Sequence, residues 1–197
     1  MTNNIYYHVY NRGAHKAEIF LDRSDYERML KLLYIANNDE PFELSEMPEN
    51  VFIVERKKIL VDIVAYCLMP NHIHIALKKR ELNQPGMSDS MTRFIHKLMT
   101  GYSTYFNKKY DHSGTIWQGS YKQKTVYDGI YIQSLIKYIH LNPRDLKKTQ
   151  NSKDSSKSNK KNIEFVINYE YSSLKDYIEQ NRPQSAILDS QEMAKFR

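Results

Sequence analysis

One cysteine, Cys67, and one tryptophan, Trp117, stand in this 197-residue sequence. A lone thiol excludes an intrachain disulfide and any cysteine-based zinc cluster, and its apolar setting in "VAYCLMP" marks it as a core filler. No apolar run approaches the ~20 residues that a bilayer crossing needs. A signal peptide's charged-then-apolar layout is missing from the N-terminus, and no internal repeat is visible. The expectation is a soluble, cytoplasmic protein of one domain with an appendage at most. Acidic groups are in the minority, 23 Asp and Glu against 29 Lys and Arg, for a net charge of +6. That balance suits a polyanionic partner, since each cationic contact to a phosphate releases counterions. Tyrosine is plentiful at sixteen copies; such rings stack on unpaired bases or straddle a core margin.

The order of elements follows from pattern. "IYYHVYNRG" (5–13) is β-branched and aromatic and stops at glycine, so it predicts a strand. A helix follows, with Ser24 and Glu27 spaced as a capping box and Met29, Leu30, Leu33 and Tyr34 as its apolar stripe. Residues 39–50 are acidic with two prolines and predict an exposed loop. "KILVDIVAYCLMP" and "NHIHIALKK" are strand-like, forming either a tight hairpin or one strand bent at Pro70. After a turn-rich link where Ser88 or Ser90 can cap, Met91, Phe94, Ile95, Leu98 and Tyr102 recur at helical steps. "GTIWQGSYKQKTV" predicts a strand or extended loop, and "DGIYIQSLIKYIHLNP" a helix stopped by Pro143. Residues 147–162 are polar and basic and predict a flexible linker. Residues 163–197 are expected to dock back on the domain and to end in a disordered tail. Strands alternating with helices in this order predict an α+β fold, an antiparallel sheet with helices packed on one face.

Alternation along a strand puts His72, His74 and Ala76 on one side and Ile73, Ile75 and Leu77 on the other. The apolar set accounts for the core, so two imidazoles project together from the opposite face. They either converge on one cation or bond locally, and a cation needs a third ligand. On the later helix Ile132, Leu135, Ile136 and Ile139 form the core stripe. Tyr131, Tyr138 and Asn142 share a strip at its edge, at about 100° per residue. Tyr138 and Asn142, four residues apart, present a phenol and an amide to the same space. A carbonyl oxygen can ligate Mg²⁺ or Mn²⁺, and a phenol can act as a nucleophile. A tyrosine at a core margin and a capping asparagine is the plainer alternative.

Four segments together carry a resemblance. "PNHIHI" resembles the His-hydrophobic-His motif of HUH single-strand nucleases, and "YIHLNP" the tyrosine helix of single-tyrosine transposases. With "WQGSYK" and "YEYSSLKDY" added, the chain is most similar to the REP-associated tyrosine transposases, relatives of the IS200/IS605 transposases. "IYYHVYNRG" resembles that family's first strand. The resemblance implies a ferredoxin-like sheet, with residues 1–146 as the catalytic domain. It implies metal-dependent cleavage of single-stranded DNA near hairpins through a 5′-phosphotyrosine. Tyr138 would be the nucleophile, and His72, His74 and Asn142 would hold Mg²⁺ or Mn²⁺. Residues 39–58 and 147–162 look like insertions, and "NPRDLK" replaces a Val-Arg-Ala-Gly continuation.

Candidates for DNA contact are Arg12, Lys122 and Arg144 inside the matched segments, with Lys16, Arg93, Lys97, Lys108, Lys109, Lys124 and Lys137 elsewhere. Trp117 and Tyr121 could stack on bases. A non-catalytic single-strand binder and a phosphodiesterase using activated water are the alternatives, and monomer and homodimer both stay open.

Overall fold

The structure, a computed structural model, describes residues 5–80, 89–127, 129–148, 155–178 and 182–196. Strands β1 (Ile5–Arg12), β2 (Val61–Met69), β3 (His72–Lys79) and β4 (Lys122–Tyr127) form one sheet in the order β2-β3-β1-β4. Every pairing is antiparallel. Helices α1 (Arg23–Ile35), α2 (Ser90–Tyr110) and α3 (Ile130–Leu141) follow β1, β3 and β4. This is the α+β antiparallel sheet that the pattern of elements predicts. Pro70 and Asn71 turn β2 into β3 as a tight hairpin.

The strand alternation sorts the core into two layers. Val9, Ile63, Ile73, Ile75 and Leu77 pack under Leu33 of α1 and Phe94, Leu98 and Tyr102 of α2. On the other face Tyr6, Val64, Cys67 and Ala76 meet Ile132, Leu135, Ile136 and Ile139 of α3. A bulge between Ile63 and Ala65 shifts the β2 register, so Val64 and Ala65 both join that second layer. The two long helices thus share one face, while α3 crosses the face from which His74 projects. That placement delivers Tyr138 to the histidines.

Local chemistry sets the helix starts. Asp22, not Ser24, caps α1, in a reciprocal box with Asp25. A carboxylate is the stronger acceptor there, and Lys109 at 2.7 Å holds it in place. Asp89, lying between Ser88 and Ser90, caps α2 by accepting from the Met91 and Thr92 amides; Ser90 is the helix's first residue, and Ser88 lies outside the described residues.

The C-terminal region is more regular than composition predicts. The stretch expected as a linker, 147–162, holds the end of α4 (Arg144–Lys148) and the first half of α5 (Ser155–Asn168), while the buried Val166 of α5 lies in the segment expected to dock; residues 149–154 lie outside the description. Tyr171–Ser173 then line the outer edge of β2, with the Leu68 amide donating to the Tyr171 carbonyl at 2.9 Å and the Ser173 amide to the Tyr66 carbonyl at 3.0 Å. Next come α6 (Leu174–Ile178) and α7 (Ser190–Ala194). An ion pair and a hydrogen bond tie residues 182–196 back to the rest of the chain. Arg182 grips the buried Asp176 at 2.7 and 3.0 Å, and Glu192 accepts from the Tyr6 hydroxyl at 2.7 Å. Among the described residues no helix is long and apolar enough to cross a membrane.

Candidate active site

One cleft of about 380 Å³ opens between the end of the sheet and α3, lined among others by Arg12, His72, His74, Lys122, Tyr138 and Asn142. The sheet register builds it. His72 and His74 pair with Arg12 and Tyr10 of β1, and Tyr10 pairs in turn with Lys122 of β4. Cross-strand partners share a face, so these side chains gather on the side that α3 covers. The α3 stripe buries Ile132 and Ile139 completely and leaves Tyr138 52% exposed at its margin.

The histidine rings lie 5.0 Å apart at 88°. Tyr138 stands edge-on to His74, 5.6 Å between centroids at 80°, and edge-on to His8 at 5.9 Å. The amide nitrogen of Asn142 donates to the Tyr138 carbonyl at 2.8 Å, which leaves its oxygen uncommitted to that bond.

Burial keeps the imidazoles neutral. It is the main cause that lowers His74 to about 3, with His72, His8 and Arg12 adding to it. Burial and then the charge of Lys124 bring His8 to about 4. His72 is also lowered, by burial and then Arg12, against a hydrogen bond with Asn142 and the charge of Asp145. Neutral imidazole is the form that ligates a cation.

The donor set fits a divalent ion. His72 Nδ1 bonds Asn71 Oδ1 at 2.7 Å, and the same carboxamide donates its nitrogen to the Lys16 carbonyl. An amide oxygen only accepts, so His72 carries its proton on Nδ1 and keeps a lone pair on Nε2. Asn142 supplies an oxygen. Among the described residues no three His, Cys, Asp or Glu side chains gather as a metal site, so a third protein donor beside the pair would be this amide.

Other expected contacts are placed elsewhere. Trp117 is 5% exposed within the α1–α2 layer, and its Nε1 donates to Ser103 Oγ at 3.1 Å. It anchors the 115–119 loop and presents no face to a base. Gln118 then joins the Arg12 carbonyl at 2.8 Å, and Gly119, at φ +70°, supplies a carbonyl to Asn11. Tyr121 is half-buried with its hydroxyl 3.2 Å from Thr92, and Arg144 is exposed on α4; neither lines the cleft. Arg93 pairs with Asp39, Lys97 bonds the Glu40 carbonyl and Lys109 bonds Asp22 and Asp25, so these cations serve the fold. Sequence reasoning passed over His8, Tyr10, Asn11 and Gln118. The alternation of Tyr6, His8 and Tyr10 on β1 was the signal for His8.

The molecule is thus an α+β domain whose four-stranded antiparallel sheet brings a His-x-His strand and a helix-borne tyrosine into one cleft. The chain belongs to the IS200-like transposase family, whose model, Transposase IS200 like, matches residues 1–142. Among solved structures it is similar to a REP-associated tyrosine transposase bound to a REP hairpin, at 14% identity and a TM-score of 0.54, over 93% of this chain and 85% of that one. A candidate transposase from Deinococcus radiodurans R1 is 14% identical over 70% of this chain and 88% of its own, at a TM-score of 0.37. No curated protein matches the sequence.

Proposed function

We propose that the protein cleaves single-stranded DNA beside a hairpin by transesterification, with Tyr138 as nucleophile. The Tyr138 oxygen attacks phosphorus in line, the O–P bond to tyrosine forms, and the P–O3′ bond breaks. The phenol gives up its proton, and the departing 3′ oxygen gains one. The 5′ end stays on the enzyme as a phosphotyrosine, so the phosphodiester energy is conserved and a second 3′-OH can reverse the step and join strands. His72, His74 and Asn142 would hold Mg²⁺ or Mn²⁺, which when bound supplies Lewis-acid polarisation of the scissile phosphate. Arg12 and Lys122 supply positive charge at the cleft mouth for the DNA backbone. Hairpin DNA as the substrate is suggested by the structural relative, which was solved with a REP hairpin.

The observation that carries this reading is the position of Tyr138, 5.6 Å ring to ring from His74 within one cleft. A labelled hairpin oligonucleotide with a single-stranded flank, incubated with protein and Mn²⁺, should give a band resistant to denaturant and sensitive to protease. Tyr138→Phe should abolish it. Cleavage without that band identifies a hydrolase, and binding without cleavage identifies a single-strand binder; either result removes the proposal.

A further inference from the structure

His8 has no part in the chemistry just described, yet it is in direct hydrogen-bond contact with one of the histidine pair. It lies on β1, buried, with its Nε2 2.9 Å from His74 Nδ1. The two rings stack at 5.1 Å and 27°. Tyr10 and Tyr138 hold His8 from two other directions, at 4.9 and 5.9 Å between centroids. One imidazole therefore touches both His74 and the ring of Tyr138.

The two β3 histidines have unlike partners. His72 faces an amide oxygen, which can only accept, so its tautomer is decided. His74 faces another imidazole, which can donate or accept. If His8 donates, His74 must carry its own proton on Nε2 and has no lone pair for a cation. If His74 donates from Nδ1, its Nε2 is free to ligate. Among the described residues His8 joins no three-residue metal cluster, and its Nε2 is spent on His74.

We propose that His8 is the positioning residue for His74: His8 Nε2 accepts the Nδ1 proton of His74, fixing the tautomer and ring plane in which His74 Nε2 is a lone-pair donor to a divalent cation. The inference rests on reading His72 and His74 as ligands. Partners of this kind alter metal affinity by about 10–100-fold when removed.

Two variants and two readouts test it. His8→Gln places an amide oxygen at similar reach and keeps an acceptor; His8→Phe keeps the ring and loses it. Long-range ¹H–¹⁵N correlation on metal-free protein reports which His74 nitrogen carries the proton. Calorimetric titration with Mn²⁺ alone reports affinity. The parent and His8→Gln should show the Nδ1 proton on His74 and Mn²⁺ affinities within about threefold of each other. His8→Phe should weaken Mn²⁺ binding about 10- to 100-fold and lose that single tautomer. A His74 proton on Nε2 in the parent overturns the inference, as does undiminished Mn²⁺ affinity in His8→Phe. Equal losses in both variants also overturn it, because an accepting amide should have rescued the function. If the parent binds no Mn²⁺ the ligand reading fails separately, and the tautomer still decides the role of His8.

Discussion

The ring of Tyr138 stands at 80° to the imidazole of His74, 5.6 Å away, and both belong to the same chain. The helix that carries the tyrosine packs on its own sheet through Ile132, Leu135, Ile136 and Ile139. The proposed site can therefore be assembled within one polypeptide.

A mixing experiment tests that assembly. Tyr138→Phe and His74→Ala, each inactive alone, should stay inactive for adduct formation when combined and refolded together. Recovery toward a quarter or more of parental adduct would mean that tyrosines are exchanged between subunits.

Asn142 separates chemistry from binding. Asn142→Ala removes the amide oxygen and the bond to the Tyr138 carbonyl. Loss of one ligand or orienting group costs on the order of 10–100-fold in metal affinity, so adduct formation should fall at least that far. DNA affinity without metal, measured by fluorescence anisotropy, should change by less than about threefold, since phosphate contacts rest on cations instead.

The electrostatic contribution of Lys122 is measurable by salt. It is exposed on β4 and lines the cleft. Lys122→Ala should lower affinity for single-stranded DNA and reduce the slope of log K against log salt by about 0.7. An unchanged slope would place the DNA elsewhere.

Trp117 serves as a contrast. Trp117→Phe gives up the bond to Ser103 and part of a buried ring, a loss of about 1–3 kcal/mol in stability. Thermal unfolding should show it. DNA affinity below the transition should match the parent; a selective loss of DNA binding would restore the stacking role expected from sequence.

Acid should loosen the fold through its histidines. His8, His74 and His140 are lowered to about 4, 3 and 4, burial being the first cause in each case. With a depressed folded-state value, the unfolded chain takes up the proton first as pH falls. Their stabilisation is complete above the unfolded value of ~6.5 and drains away as pH drops toward about 4. The Tm of metal-free protein should decline across that window, and His140→Gln should flatten the decline. A Tm that holds steady from pH 6.5 to 4 contradicts the burial of these rings.

What the sequence disclosed was whatever periodicity encodes. Strand alternation placed His72 and His74 opposite Ile73 and Ile75, and helical spacing placed Tyr138 and Asn142 beside a stripe of four apolar residues, and the structure has both arrangements. Burial of a single aromatic is not periodic, so Trp117 was misplaced. His8 was hidden because its partner His74 is 66 positions away and one strand over. The first half of the helix at Ser155–Asn168 was illegible because its residues up to 162 are polar and basic, while Ile163, Phe165, Val166 and Ile167 all lie beyond them. Capping depended on geometry that composition does not specify: Asp22 and Ser24 are two residues apart, and only one accepts from the Asp25 amide.

The most direct test is to locate the covalent bond. Protein treated with hairpin DNA and Mn²⁺, digested with nuclease and trypsin and read by tandem mass spectrometry, should carry a nucleotide remnant on the Tyr138 side chain. A remnant on any other residue, or cut DNA with every tyrosine unmodified, would contradict the account.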